Sequence, residues 1–407
     1  MTHIYMVERE VKEKLGSMGR ISDLSGDLVG EILSRAPLTS LSAVRSTCKS
    51  WNDLSENQIF GKQLLGFMVM DSIQPDLRHG LAVNTVSMFK QVEITRVYHC
   101  DGLLLCAGVR NNTRSVVVWN PYLGQTRWIQ PINEFAEFDM FALGYSSNNV
   151  KSREHKMLRF LDWFDGEKQF QHSYFEMYCI ESDSWRVLHV NPEWSIHFQQ
   201  RGVTVKGNTY LVAQDKSTPT IPMDTEVGVW LLCFDFTTER FGPRLPLPTH
   251  SYCWFTETLA LSGVGDEQLA LLYQSPTSKI MDFWITTKLE PNAVSWSKFL
   301  RVDTRLLSGF PANFCAGSFF VDEENKLAVV SYLPKSYLRE YEPMETCRHL
   351  ASLYIVGDGH DGGDFKPLNI RQSTKSLGYF NEFSFSCYVP SLVQINQRGK
   401  KRKHGGF

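Results

Sequence analysis

The sequence predicts a mainly β chain: an N-terminal unit of three short helices, followed by a β-propeller-like domain of about six blades. Three observations predict it. Aromatic residues make up 13% of the 407 residues, and Trp, Tyr and Phe favour pleated, half-buried surfaces. From about residue 67, short aromatic and β-branched runs alternate with turn residues. An aromatic that opens the closing strand of a hairpin recurs at Trp128, Trp185, Phe241 and Trp296, at spacings of 57, 56 and 55 residues. A fixed period of that size marks a repeat architecture.

The N-terminal stretch MTHIYMVEREVKEKLGS lacks the long apolar run of a signal peptide. Residues 1–20 are expected as a disordered extension, with Met18 an alternative start of translation. Helical spacing begins after it. Leu24, Leu28 and Ile32 recur four apart, with Leu33 beside them, and share one helix face. Pro37 ends that helix, because it disfavours the α conformation at Ala36 and offers no N–H. Leu38 follows, and Thr39 or Ser40 caps a second helix holding Leu41 and Val44. Cys48, Trp51 and Leu54 mark a third. Three short helices bury too little surface to be robust alone, so this unit, residues 21–66, needs another surface to pack on. Leu24, Leu28, Ile32, Leu33, Leu38, Leu41, Val44 and Trp51 are the residues expected to supply that contact.

Residues 67–395 read as hairpins. Val116–Asn120 leads to Arg127-Trp128-Ile129, Phe175–Ile180 to Trp185-Arg186-Val187, and Leu231–Phe236 to Arg240-Phe241. Phe283-Trp284-Ile285 leads to Val294-Ser295-Trp296. A second phrase, a polar turn running into an apolar strand, stands upstream of several hairpins: Asp101-Gly102-Leu103-Leu104, Lys206-Gly207-Asn208, Asp266-Glu267-Gln268 and Glu323-Glu324-Asn325. It reads as the entry to a buried inner strand. About four strands per unit, repeated radially, describe a propeller, and the recurring aromatics are expected between neighbouring blades. An irregular β-sandwich is the competing fold, and it leaves three near-equal spacings unexplained.

Lys and Arg number 42 against 44 Asp and Glu, a net charge of −2, so whole-chain charge gives no support to a nucleic-acid binder. The charge is uneven. Arg398, Lys400, Lys401, Arg402 and Lys403 crowd a basic tail, residues 396–407, and the remaining chain stands at −7. Lys400, Lys401, Arg402 and Lys403 fit a short nuclear-import signal, against the plain alternative of a solvated terminus. No apolar run approaches the ~18 residues of a membrane helix. These features predict a protein of the nucleus, the cytoplasm or both, with no membrane or nucleic-acid partner. Nine scattered cysteines without a CxxC pair argue against a disulfide framework or zinc ribbon. No HExxH, Walker loop or GxSxG is present. Asp358, Asp361 and Asp364 lack the order and closing Glu of an EF-hand. No catalytic residue, metal or cofactor is expected.

The helical segment resembles an F-box. The match runs through Leu24-Ser25-Gly26-Asp27-Leu28, Glu31-Ile32-Leu33, Arg35 and Pro37, then Leu41, Val44-Arg45, Cys48-Lys49 and Trp51. Ser25 departs from it, because the family usually has proline there to preset the helix entry. The rest resembles the F-box-associated domain of a very large plant family. Its carrying phrases are Cys100–Cys106, Val118-Trp119-Asn120-Pro121, Ser184–Leu188, Leu232–Phe241, Phe283-Trp284-Ile285 and Tyr388-Val389-Pro390-Ser391-Leu392. The resemblance implies a non-catalytic substrate receptor of an SCF ubiquitin ligase. Its F-box would dock on a Skp-type adaptor held by a cullin and a RING subunit, through Leu24, Leu28, Ile32, Leu33, Pro37, Leu38, Leu41, Val44, Cys48 and Trp51. The propeller would recruit an unknown protein substrate, with the long connections 214–229 and 333–349 as candidate loops. Two other readings compete: a carbohydrate- or peptide-binding propeller acting outside a ligase, and an enzyme with titratable residues at the propeller mouth.

Overall fold

The computed structural model describes residues 3–9, 66–71, 81–86, 92–136, 138–149, 152–165, 170–197, 200–216, 226–249, 251–252, 257–275, 279–307, 316–332, 352–357, 366–369, 387–388 and 391–395. The expected helices at 23–57 and the basic tail lie outside them.

The first described element corrects an expectation. His3–Arg9, expected within a disordered extension, is a strand, β1. It lies between β2 (Gly66–Asp71) and β3 (Leu81–Val86) and is antiparallel to both, with Ile4 opposite Met70 on one side and Val86 on the other. The run Ile4-Tyr5-Met6-Val7 is too short to announce a strand by itself. Pairing on both edges satisfies its backbone groups, as buried or paired strands require.

Five blades follow in chain order, and the first two are simple four-stranded meanders. The first comprises β4 (Val92–Cys100), β5 (Leu103–Arg110), β6 (Thr113–Asn120) and β7 (Gln125–Ile129). The second comprises β8 (Met140–Asn149), β9 (Ser152–Asp165), β10 (Phe170–Cys179) and β11 (Ser184–Val187). The third has broken edges. β12 (Trp194–Ser195) and β13 (Val203–Val205) both lie along β14 (Asn208–Asp215), while β16 (Arg240–Phe241) and β17 (Ser251–Tyr252) both lie along β15 (Val227–Asp235). The fourth comprises β18 (Thr258–Val264), β19 (Gln268–Ser275), β20 (Ile280–Glu290) and β21 (Ala293–Asp303). The fifth comprises β22 (Ala316–Asp322), β23 (Leu327–Tyr332), β24 (Ser352–Gly357) and β25 (Lys366–Asn369).

The sixth sheet is assembled differently. Its order is β26-β2-β1-β3, where β26 (Cys387–Tyr388) comes from the far end of the chain. The expected count of about six blades therefore becomes five meander blades and one sheet of mixed origin among the described residues. Residues from both ends of the chain build that sheet.

The cores lie between blades, because a four-stranded blade can be buried on both faces and its side chains alternate between them. Leu103, Leu105, Val116 and Val118 of the first blade pack with Leu143, Met157 and Tyr178 of the second. Phe160, Phe175 and Met177 of the second pack with Leu211, Leu232 and Phe234 of the third. Further clusters join the third to the fourth blade and the fourth to the fifth. Three of the four recurring aromatics serve these seams. Trp185 Nε1 donates to the Gln130 carbonyl of the preceding blade at 2.7 Å, and Trp296 Nε1 donates to Pro246 at 2.9 Å. Phe241 meets Phe175 of the preceding blade edge-on at 5.7 Å. Trp128 lies under the Arg110 guanidinium at 4.5 Å.

The last described segment returns to the first blade. The fully buried Asn120 donates from Nδ2 to the carbonyls of Ser391 and Val393, both at 2.9 Å, and its Oδ1 accepts from Leu123 N. Ile395, 2% exposed, enters the core between the first two blades.

Candidate functional site

Three of the four predicted polar turns, those at Asp101, Lys206 and Asp266, converge on one opening. Asp101 and Gly102 have φ of 52° and 70°, and Lys206 and Gly207 have 52° and 83°. Positive φ at both central residues is the two-residue hairpin turn whose twist suits antiparallel strands. Each turn closes the innermost strand of its blade onto the next one out. The apolar run after the turn is thus the second strand from the centre: β5, β14, β19 and β23. It is buried on both faces, with Leu103, Leu104 and Leu105 each at 0% exposure.

Around the opening these turns reach from blade to blade. Asp101 of the first blade accepts from His155 Nε2 of the second at 2.9 Å and is ion-paired with Arg153. Tyr145 N of the second donates to Gly207 O of the third at 3.1 Å. Lys206 Nζ of the third stands 3.6 Å from Glu267 of the fourth. Together they rim a cavity of about 290 Å³, walled lower down by Val97, Val203, Leu261 and Ser318. The Arg153 guanidinium lies 4.6 Å over the Tyr145 ring, which meets the His155 ring edge-on at 5.7 Å.

His155 is 1% exposed. Its backbone N–H donates to Glu181 Oε1 at 2.9 Å, and its Nδ1 stands 3.5 Å from the same oxygen. Burial works against a charge on this imidazole, but the hydrogen bond to Asp101 and the nearby Glu181 carboxylate outweigh it and raise its pKa. The same contact holds Glu181 below its ordinary value despite its own burial. His99 behaves oppositely. Burial lowers its pKa to about 4 against the pull of Asp101, and its Nε2 accepts from Gly102 N at 3.2 Å. Burial and the Asp101 charge hold the Cys100 thiol well above its ordinary pKa. An Asp–His pair with both imidazole nitrogens facing carboxylates, beside a protonated thiol, positions charge and lacks an activated nucleophile.

A second polar group lies on the second blade. Cys179 Sγ donates to Glu154 Oε1 at 3.3 Å and to Glu181 Oε2 at 3.7 Å. Burial raises this thiol's pKa, and Lys156 Nζ, 3.0 Å from Glu154, already supplies the cation. Deeper in the same blade Arg159 is 2% exposed and pairs with Asp139 at 2.8 Å and Glu176 at 3.0 Å. With so many hydrogen bonds satisfied, that cluster is a structural ion network.

The residues singled out for adaptor contact, Leu24, Leu28, Ile32, Leu33, Pro37, Leu38, Leu41, Val44, Cys48 and Trp51, lie outside the described residues, as do Lys400, Lys401, Arg402 and Lys403. So does all of 333–349 and most of 214–229. Sequence reading marked Asp101, Lys206 and Asp266 as turn residues without bringing them together. It did not find Tyr145, Arg153 or His155, which sit within strands and carry no turn or spacing signal.

Residues 60–395 match the F-box associated beta propeller domain, and residues 21–63 match the F-box domain. The chain belongs to the F-box proteins that carry this propeller. Relatives occur in Arabidopsis thaliana. F-box protein At3g49510 is 48% identical over 93% of this chain and 100% of its own length. F-box protein At1g59680 is 46% identical over 92% and 98%. F-box/kelch-repeat protein At3g13680 is 43% identical over 95% and 100%. The F-box match covers every residue singled out for adaptor contact.

Proposed function

We propose that this F-box protein is the substrate-recognition subunit of an SCF-type E3 ubiquitin ligase and is itself non-catalytic. The observation that carries the reading is the order of its two matched domains, an F-box at 21–63 followed directly by a propeller at 60–395. One unit is too small to hide its apolar face, and the other is large enough to present loops around an opening. Helix-in-groove recognition uses apolar side chains at the spacing of Leu24, Leu28 and Ile32. Docking on a Skp-type adaptor would bring in the cullin and RING subunits, and the propeller would hold the target protein. The opening supports a binding role, because Asp101, Arg153 and His155 are engaged in holding the first blade to the second. The tail at Lys400–Lys403 supports work in the nucleus as well as the cytoplasm.

The test is co-purification of the full chain with adaptor and cullin. Trp51→Ala, or Leu28→Ala with Ile32→Ala, is expected to abolish capture while the propeller stays folded. Truncating a buried Trp costs about 3–5 kcal/mol. Undiminished capture by these variants would reject the reading, and a propeller that never captures adaptor would leave a binding protein outside the ligase. Residues 396–407 fused to a reporter test the tail, and a diffuse cytosolic signal rejects nuclear import.

A further inference from the structure

We propose that the cavity at the propeller opening takes a basic side chain, lysine or arginine, from the target protein, with Asp266 as its counter-ion. This rests on the substrate-receptor reading and names the chemistry of what that receptor would hold.

The cavity is lined by three cations, Arg153, Arg201 and Lys206, and three carboxylates, Asp101, Asp266 and Glu267, so the ligand it favours depends on which are already engaged, and Arg201 has an interaction of its own. Arg153 is ion-paired with Asp101 and stacked on Tyr145. The second Asp101 oxygen is taken by His155. Lys206 and Glu267 face each other across the rim at 3.6 Å. Asp266 lies between these pairs, on the turn joining β18 to β19, and forms no ion pair among the described residues. It is exposed on the rim yet close enough to Asp101 to feel its charge. Loss of water and the like charges of Asp101 and Glu267 together raise its pKa, against the attraction of Arg153. A cation entering the opening relieves this repulsion, whereas an anion has to displace an existing partner from a cation.

The walls fit a long side chain as well as its charge. Below the rim, Val97, Val203 and Leu261 offer apolar surface, with Thr204 and Ser318 among them. Lysine and arginine carry an apolar stem beneath a charged head. A volume of about 290 Å³ lies at the lower end of the ~300–1,000 Å³ typical of small-molecule pockets. It suits one or two side chains of a docked segment. Gly202, Gly207, Gly263 and Gly265 also line it, so backbone is within reach of an incoming peptide chain.

The full chain, co-expressed with its Skp-type adaptor, would be panned against a random dodecapeptide library. One enriched peptide would then be titrated by fluorescence polarisation. Enrichment of peptides bearing Lys or Arg is expected. Asp266→Asn should weaken the titrated peptide about fivefold, the upper range for an exposed ion pair. Asp266→Lys should weaken it further, and Asp266→Glu should restore most of the affinity. Enrichment of acidic or uncharged peptides, no enrichment, or Asp266→Asn binding as well as the original would each overturn the proposal. Adaptor co-purification, scored in the same preparations, reports on the ligase reading independently. If adaptor capture fails while basic peptides bind, the pocket stands and the ligase reading falls.

Discussion

At His155 two opposing forces act on one imidazole, and their balance makes a prediction. Burial disfavours its charge, while Asp101 and Glu181 favour it more strongly, so the folded-state pKa is raised. A group whose pKa rises on folding contributes stability that is fully present below its unfolded pKa of about 6.5 and is lost as pH rises through the folded value. The advantage of the native chain over His155→Asn should therefore be larger at pH 6 than at pH 9. Denaturant titration at the two pH values measures it, and an advantage that is equal or grows with pH would refute the assignment. His99 and His197 carry the opposite sign. Burial lowers both to about 4, so the unfolded chain binds protons more tightly and both sites lose stability as pH falls from about 6.5 towards 4. Three histidines thus give the propeller opposed responses on either side of neutrality, and His155 links two blades directly at the opening.

At the scale of the element, what could be read from the sequence was what is local. The turns Asp101-Gly102 and Lys206-Gly207 announced themselves because few residues accept positive φ, and glycine does so without a steric penalty. The closing aromatics revealed the repeat because each blade needs a large side chain at its seam. Trp185, Phe241 and Trp296 meet that need against the preceding blade. What could not be read is what blade adjacency creates. Asp101 and His155 are 54 residues apart, and nothing in either neighbourhood names the other. β1 was missed for the same reason, since its partner strands begin at Gly66 and Leu81. Within the second blade, Gly144 shows how tightly adjacency constrains a strand, because a Cβ there would lie 2.4 Å from the Gly207 carbonyl of the next blade. Gly207 and Gly124 make a controlled pair. Both have positive φ, 83° and 65°, but a Cβ on Gly207 would lie 2.7 Å from the Tyr145 ring, while one on Gly124 meets nothing within 4 Å. Gly124→Ala should cost only the backbone strain, about 1 kcal/mol. Gly207→Ala should cost about 1–3 kcal/mol, since the Tyr145 ring must also move. Equal denaturation midpoints for the two variants would show that the seam between the second and third blades is looser than its geometry implies.

At the scale of the whole molecule, the chain's late segment fastens its early blade. Asn120 stands in the phrase Trp119-Asn120-Pro121 and Ser391 in the phrase Tyr388–Leu392, 271 positions apart, and a buried side-chain amide joins them. β26, just before that segment, pairs with β2, so the same stretch ties the mixed sheet to the first blade. A five-blade meander leaves two outer faces to satisfy, and this clasp joins the first to strands from both chain ends. A chain ending at residue 390 loses both Asn120 partners and the buried Ile395. Leaving a buried amide unpaired costs about 1–3 kcal/mol, and burying an isoleucine is worth about 1.5–3 kcal/mol. The truncation should therefore lower stability by about 2.5–6 kcal/mol in chemical denaturation. A chain ending at residue 395 keeps every one of these contacts and should match the full chain. Asn120→Ala provides the cross-check, since contacting groups are non-additive. It should be costly in the full chain and much cheaper in the chain ending at 390, where its partners are already gone. Equal costs in the two backgrounds would mean that Asn120 acts through its own turn at Leu123 and that the clasp is held by other contacts.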